Sequence, residues 1–239
     1  MRVELKYAVP EDIAAWALQW SGVFLKRDFG LSGPQQVTSL YLDTPTLTFF
    51  RWHRERRPDR FKLRIRGYGD RTRDRVWAEI KRKTGVIVRK DRAALPVGGL
   101  DFVLRGNPLA AGFGESESPA LHDFVKRRLA FHAEPKLLIR YHRDALREKG
   151  PGGEIATTVD RRLQYQPTRR HDLLDDPNLW RTLVLPRPAM AIVELKYMGQ
   201  APTWMKTLML KLAPHRVGFS KYRAAMQQHT RQPATAERL

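Results

Sequence analysis

Apolar and polar residues alternate in short blocks along most of the chain, and those blocks predict strands with helices between them. Residues 2–9 put Arg2, Glu4 and Lys6 on one face and Val3, Leu5 and Tyr7 on the other. Pro10-Glu11-Asp12 opens a helix with Ile13, Trp16, Ala17 and Trp20 at helical spacing. Residues 36–43 are β-rich, and Asp43-Thr44-Pro45 ends that strand and caps a short aromatic helix with Leu47, Phe49 and Phe50. Over 60–68, Phe61, Leu63 and Ile65 oppose Arg60, Lys62, Arg64 and Arg66. Over 75–83, Val76, Ala78 and Ile80 oppose Trp77, Glu79, Lys81 and Lys83. Residues 86–95 place Val86, Val88, Lys90 and Arg92 on one side. A Gly/Pro/Ser-rich stretch over 97–118 predicts a loop with a short helix. A helix follows at 119–132, then strands at 135–146, 154–160 and 191–198, the last two joined by a long polar connection over 161–190. Helices near 202–213 and 220–229 close the chain.

These elements predict an α+β fold: an antiparallel β-barrel (tunnel) of about eight strands with flanking helices. Closure removes the sheet's edges, and ~8 strands leave room inside for side chains or one small ligand. No repeat or long linker interrupts the pattern, so residues 1–229 read as one domain and 230–239 as a disordered tail. The tryptophans at 16 and 20, and Phe49, Phe50 and Trp52, read as core.

Composition narrows the chemistry. Cysteine is absent, which excludes disulfides, thiolate metal sites and cysteine nucleophiles. The seven histidines form no close pair of the kind a His metal site uses. No apolar run approaches the ~20 residues of a spanning helix, and the charged opening is not a signal peptide. The expectation is a cytoplasmic protein without membrane insertion. The net charge of +19, from 44 Lys and Arg against 25 Asp and Glu, calls for an anionic partner.

The charge recurs at alternate positions, strand after strand: Arg2/Glu4/Lys6, Lys62/Arg64/Arg66, Glu79/Lys81/Lys83, Lys90/Arg92, Arg140 and Glu194/Lys196. Any one of these strands fits a solvated outer face. Together they are dominated by cations, whereas a solvated face usually mixes both signs with Ser, Thr and Gln. Lining a barrel interior, such cations would repel one another unless a polyanion lay among them. A linear phosphate chain suits them, with bidentate Arg contacts. A carboxylate in that setting makes sense as a ligand for Mg²⁺ or Mn²⁺ bridging phosphate oxygens. Nucleic acid is a less favoured partner, because the strand aromatics lie mostly on the apolar face.

Several segments resemble one family in collinear order. They are Arg2-Val3-Glu4-Leu5-Lys6-Tyr7, Ser39-Leu40-Tyr41-Leu42-Asp43-Thr44-Pro45, Lys62-Leu63-Arg64-Ile65-Arg66-Gly67-Tyr68 and Glu79-Ile80-Lys81-Arg82-Lys83. Val88-Arg89-Lys90-Asp91-Arg92, Leu138-Ile139-Arg140-Tyr141-His142-Arg143, Val193-Glu194-Leu195-Lys196 and Phe219-Ser220-Lys221-Tyr222 continue them, to about residue 225. The chain resembles the VTC (vacuolar transporter chaperone) catalytic domain, of the triphosphate tunnel metalloenzymes. The resemblance implies polyphosphate synthesis from ATP, with ATP or another nucleoside triphosphate and polyphosphate or tripolyphosphate as ligands. It implies Lys6, Arg64, Arg66, Lys81, Lys90, Arg140 and Lys221 as phosphate-binding, catalytic cations, with Tyr41 and Ser220 as accessory contacts. It implies Glu194 as metal ligand, with Glu4 and Glu79 as helpers. Arg2, Lys62, Lys83, Arg92 and Lys196 share the charged faces and are further phosphate candidates. Lys196 also reads as an ion-pair partner for Glu194. Two positions depart from the pattern. Arg2 stands where hydrolytic tunnel enzymes carry a first Glu, which favours the polymerase branch with triphosphatase as the alternative. Ala156 stands where the family usually has Arg, a role that Arg161 or Arg162 would have to fill.

Overall fold

The computed structural model describes residues 2–27, 33–69, 74–85, 87–109, 112, 118–150, 153–174, 176–186 and 189–231. The strands are β1 (Arg2–Val9), β2 (Lys26–Arg27), β3 (Gln35–Asp43), β4 (Arg60–Tyr68), β5 (Arg75–Thr84), β6 (Ile87–Pro96), β7 (Glu134–Gly150), β8 (Gly153–Pro167), β9 (Arg181–Thr182) and β10 (Ala191–Met198). The helices are α1 (Glu11–Gly22), α2 (Thr48–Arg54), α3 (Leu100–Arg105), α4 (Pro119–Ala130), α5 (Thr203–Leu212) and α6 (Lys221–Arg231). The α+β class and the antiparallel sheet of eight long strands are as the alternation predicts. The expected polar connection after residue 160 is different: β8 runs on to Pro167, because Leu163, Tyr165 and Gln166 are buried and keep the segment extended. The tail expected from residue 230 lies outside the described residues from 232 on; α6 reaches Arg231.

The chain forms two compact units, each drawn from three stretches of sequence. The first comprises Met1–Gln36, Tyr141–Leu163 and Thr182–Ser220. Here β1 pairs antiparallel with β10, and β10 with β8; β2 pairs with the later part of β7. Tyr7, Val9, Val159, Val193 and Leu195 turn one face of these strands to Ala14 and Ala17 of α1 and to Met205, Leu208 and Leu212 of α5. The small Ala14, Ala17 and Ser21 let α1 lie close to the sheet, where Ser21 Oγ donates to Thr157 Oγ1 at 2.9 Å.

The second unit comprises Val37–Arg140, Gln164–Arg181 and Lys221–Leu239. Strands β3, β4, β5 and β6 pair consecutively and antiparallel, as their short connections require. Leu40, Leu42, Leu63, Ile65, Val76, Ala78 and Ile80 form the apolar side, packed with Phe49 of α2, Val103 and Leu104 of α3, and Leu121 and Phe124 of α4. Burying one face this completely leaves the opposite face, every second residue, for polar groups. Asp43, fully buried, accepts from the backbone N–H groups of Thr44, Phe49 and Phe50 at 2.7–2.8 Å and so caps α2. Trp52 packs partly buried against this core, and Phe49 and Phe50 are buried, as expected of core residues.

Candidate functional site

The polar face of the second unit is built by strand register. Arg64 lies opposite Tyr41 on β3 and Glu79 on β5, and Glu79 lies opposite Arg92 on β6. Arg66 lies opposite Ser39 and Trp77; Lys81 lies opposite Lys62 and Lys90. Alternation therefore places cations from the two flanking strands, β4 and β6, around a single carboxylate on β5. Glu79 is completely buried. Arg64 Nη2 meets its Oε2 at 2.6 Å, Lys90 Nζ meets Oε1 at 2.6 Å, and Arg92 Nε approaches Oε1 at 3.4 Å. Burial alone would raise the Glu79 pKa, but Arg64, Arg66 and Lys90 overcome it and hold the carboxyl well below its usual range. Lys90 shows the reverse: although its side chain keeps 38% of its area in water, loss of hydration first, then Arg64 and Arg66, push its ammonium down to about 7 against the pull of Glu79.

The phenol of Tyr41 accepts from Arg64 Nη1 at 3.0 Å, and Arg66 Nε donates to Ser39 Oγ at 3.2 Å. Burial would raise the Tyr41 pKa; Arg64, Arg66 and Lys221 lower it overall. Tyr41 stacks on Tyr222 with ring centroids 5.0 Å apart, and Tyr222 Oη donates to Asp43 at 2.5 Å. Those contacts fix the start of α6, where Lys221 stands. Lys83 pairs in register with Arg60 and Val88, beside Lys62 and Lys81.

The first unit carries its own charged face. Lys6 is opposite Glu194, Glu4 opposite Lys196, and Lys196 opposite Ala156. Lys6 Nζ lies 2.9 Å from Glu4 and 3.7 Å from Glu194, and Lys196 Nζ lies 2.7 Å from Glu194. Burial would lower the Lys6 pKa, but Glu194 and Glu4 raise it above the ordinary lysine range. The backbone of Arg2 pairs with Met198, and its side chain is outside the described residues. Ser220 ends this unit, and Lys6 Nζ donates to the neighbouring Phe219 carbonyl at 3.3 Å.

Residue assignment from the motif misses one pair. On β7, Arg143 binds Asp160 in bidentate fashion, at 2.6 and 2.8 Å, and Asp160 is fully buried. Burial would lower the Arg143 pKa; Asp160, Tyr141 and Glu194 raise it well above normal. Arg140 belongs to the second unit. Its guanidinium donates to Gln164 at 2.8 Å and lies 4.1 Å over Trp180, a ring that packs against the helix-covered core of the second unit. Arg161 bonds Glu11 and Asp144 rather than standing in for Ala156, and Arg162 is exposed.

Among the described residues no three His, Cys, Asp or Glu side chains are grouped to hold a metal by themselves. Glu4 and Glu194, bridged by Lys6, fit the other way in which Mg²⁺ is held, by one or two carboxylates completed by phosphate oxygens and water. Glu79 is the more enclosed carboxylate: it is completely buried with Arg64, Lys90 and Arg92 on its two oxygens at 2.6, 2.6 and 3.4 Å, whereas Glu194 meets Lys196 at 2.7 Å and Lys6 at 3.7 Å.

The family model described as the VTC domain matches residues 2–230. The chain belongs to the VTC domain family. Family membership supports a polyphosphate polymerase or triphosphatase type of protein. No curated protein matches the chain. A solved structure from Vibrio parahaemolyticus, provisionally described as an adenylate cyclase, is similar at 13% identity. It covers 94% of this VTC chain and 97% of its own, with a TM-score of 0.47. No helix among the described residues is long and apolar enough to cross a membrane.

Proposed function

We propose that this VTC-domain protein is a metal-dependent polyphosphate polymerase that transfers the terminal phosphoryl group of ATP to a growing polyphosphate chain. The observation that carries the reading is the face of the second unit. There Arg64, Arg66, Lys90 and Arg92 surround one buried carboxylate, so the cations are held in place and outnumber their counter-ion. In the transfer, the bond from the γ-phosphorus to the β,γ-bridging oxygen breaks and ADP leaves with that oxygen. A bond from a terminal oxygen of the acceptor chain to the γ-phosphorus forms. Chemistry of this kind needs positioning and charge neutralisation more than a protein nucleophile.

Arg64, Arg66, Lys81, Lys90, Arg92, Lys62, Lys83 and Lys221 are assigned to phosphate oxygens, and Tyr41 and Ser39 orient the arginines. Lys6, Lys196 and Arg143 supply further cations in the first unit. Glu194, with Glu4, would hold Mg²⁺ or Mn²⁺, which supplies charge neutralisation on phosphate oxygens when bound. Glu79 is assigned as an internal counter-ion.

Incubation with ATP and Mn²⁺ or Mg²⁺, read by gel and by phosphate release, tests this. A polymer ladder is expected. Free phosphate without polymer would replace the reading with triphosphatase, and neither product would leave a binding protein. Glu194→Gln is expected to keep ATP affinity and lose metal-dependent turnover; unchanged turnover would remove Glu194 from the metal.

A further inference from the structure

The charged face of the second unit has two unlike ends. Along β4 the face carries Lys62, Arg64, Arg66 and Tyr68; along β5, in register, it carries Lys81, Glu79 and Trp77. Along β6 it carries Lys90, Arg92 and Ala94. Alternate residues step about 7 Å along a strand. One end is thus lysine (Lys62, Lys81, Lys90), and the other, about three steps away on β4, is aromatic. There Tyr68 and Trp77 meet edge to face, centroids 5.1 Å apart at 79°. Arg92 lies 4.5 Å over the Trp77 ring and 5.4 Å from the Tyr68 centroid, and Arg66 lies 5.9 Å from Tyr68. Both rings are only partly buried, although they sit on the polar side of the sheet. The residue opposite Trp77 on β6 is Ala94, which is exposed and too small to cover it.

A nucleoside triphosphate has the same polarity: a polyanionic chain at one end and a flat, uncharged aromatic ring at the other. Polyphosphate alone uses the rings only as supports for Arg66 and Arg92 and leaves their open surface without a partner in the ligand. A nucleic-acid strand would call for a series of such platforms, and among the described residues of β4, β5 and β6 this face holds one, bounded by cations that suit a phosphate chain. We propose that Tyr68 and Trp77, framed by Arg92, form the nucleobase subsite of this protein, taking a purine nucleoside triphosphate with its base at Trp77 and its phosphates running past Arg66 and Arg64 toward Lys81 and Lys62. The inference rests on the reading of the Arg64–Glu79 face as phosphate-binding. Base stacking on the rings then adds affinity that tripolyphosphate cannot use. Two-ring bases gain more contact area than single-ring ones, so ATP and GTP should bind more tightly than CTP and UTP.

Calorimetric binding of ATP and of tripolyphosphate, at matched salt and Mg²⁺, tests the subsite in the full chain. Trp77→Leu is expected to weaken ATP on the order of tenfold and leave tripolyphosphate within about twofold. Trp77→Phe should recover most of the loss, and Tyr68→Leu should repeat the selective effect, so a folding defect in any one variant does not decide the matter. In the wild type, ATP should quench tryptophan fluorescence more than tripolyphosphate does. Equal weakening of both ligands, or of neither, in all folded variants overturns the subsite while leaving the phosphate-binding reading intact. Wild-type protein that binds neither ligand overturns both.

Discussion

Glu79 shows how one side chain organises the candidate site. It is fully buried among Arg64, Lys90 and Arg92, and removing its charge leaves those cations facing one another. Glu79→Gln should lower stability by about 2–3 kcal/mol at pH 7. The value falls below the roughly 3–5 kcal/mol of a fully buried broken pair, since Lys90 and Arg92 keep over a third of their side chains in water. Because the folded-state pKa is depressed, this contribution is complete above the unfolded value near 4.5 and is lost as pH falls below it. The gap in melting temperature between wild type and variant should therefore narrow on acidification. The same variant should bind tripolyphosphate more tightly, as a carboxylate has been removed from beside the anion. Loss of metal-dependent turnover at undiminished affinity would return Glu79 to the metal. At this scale alternation makes the strand faces legible, and Arg64, Lys90 and Glu79 follow from it directly. Arg143 does not, because Leu137, Leu138, Ile139 and Tyr141 are all buried and no alternation tells which nearby arginine faces which side. The motif alone points to Arg140, whose partners are Gln164 and Trp180.

At the scale of elements, most strands and helices read from hydrophobic period agree with those observed, since β4 buries Phe61, Leu63 and Ile65 on one face and β5 buries Val76, Ala78 and Ile80. The end of β8 was not legible, because Gln164 and Gln166 look like loop residues until burial beside Leu163 and Tyr165 is seen. The link from α6 to the sheet was equally hidden, since it joins residues 179 positions apart. Tyr222 stacks on Tyr41, which accepts from Arg64, and donates a hydrogen bond to Asp43, the carboxylate that caps α2. One chain of contacts so ties α6, with Lys221, to three other elements, β3, β4 and α2. Tyr222→Phe keeps the ring stack and removes only the hydroxyl. It should cost about 1–3 kcal/mol, the range for a buried hydrogen bond to a charged group, measured by denaturant unfolding. It should also raise the Kd for tripolyphosphate a few-fold through Lys221 and Arg64. A stability loss with unchanged Kd would confine Tyr222 to folding.

For the whole molecule, the decisive quantity is a net charge of +19, much of it fixed on sheet faces rather than spread over loops. Charge fixed in this way destabilises the empty protein and favours any polyanion that binds only the folded state. Tripolyphosphate at a hundredfold excess over Kd should add about 2.7 kcal/mol, which for a chain of this length raises Tm by roughly 5–10 °C. Sulfate at equal ionic strength should do less, because a single tetrahedral anion meets only part of the row Lys62, Arg64 and Arg66. Sodium chloride matched for ionic strength separates screening from binding. The gain should also depend on pH through Lys90. With its folded pKa lowered to about 7, Lys90 carries its charge at a cost below that pH and sheds it above, so the empty protein becomes more stable as pH rises from 7 toward 10.5. A bound polyanion favours the protonated form, so the Tm gain from tripolyphosphate should shrink as pH climbs through 7. Lys90→Arg, which stays charged, should flatten that dependence and control for titration of the ligand itself. Equal shifts with tripolyphosphate and with matched sodium chloride, at every pH, would show that the cationic faces hold no specific polyanion.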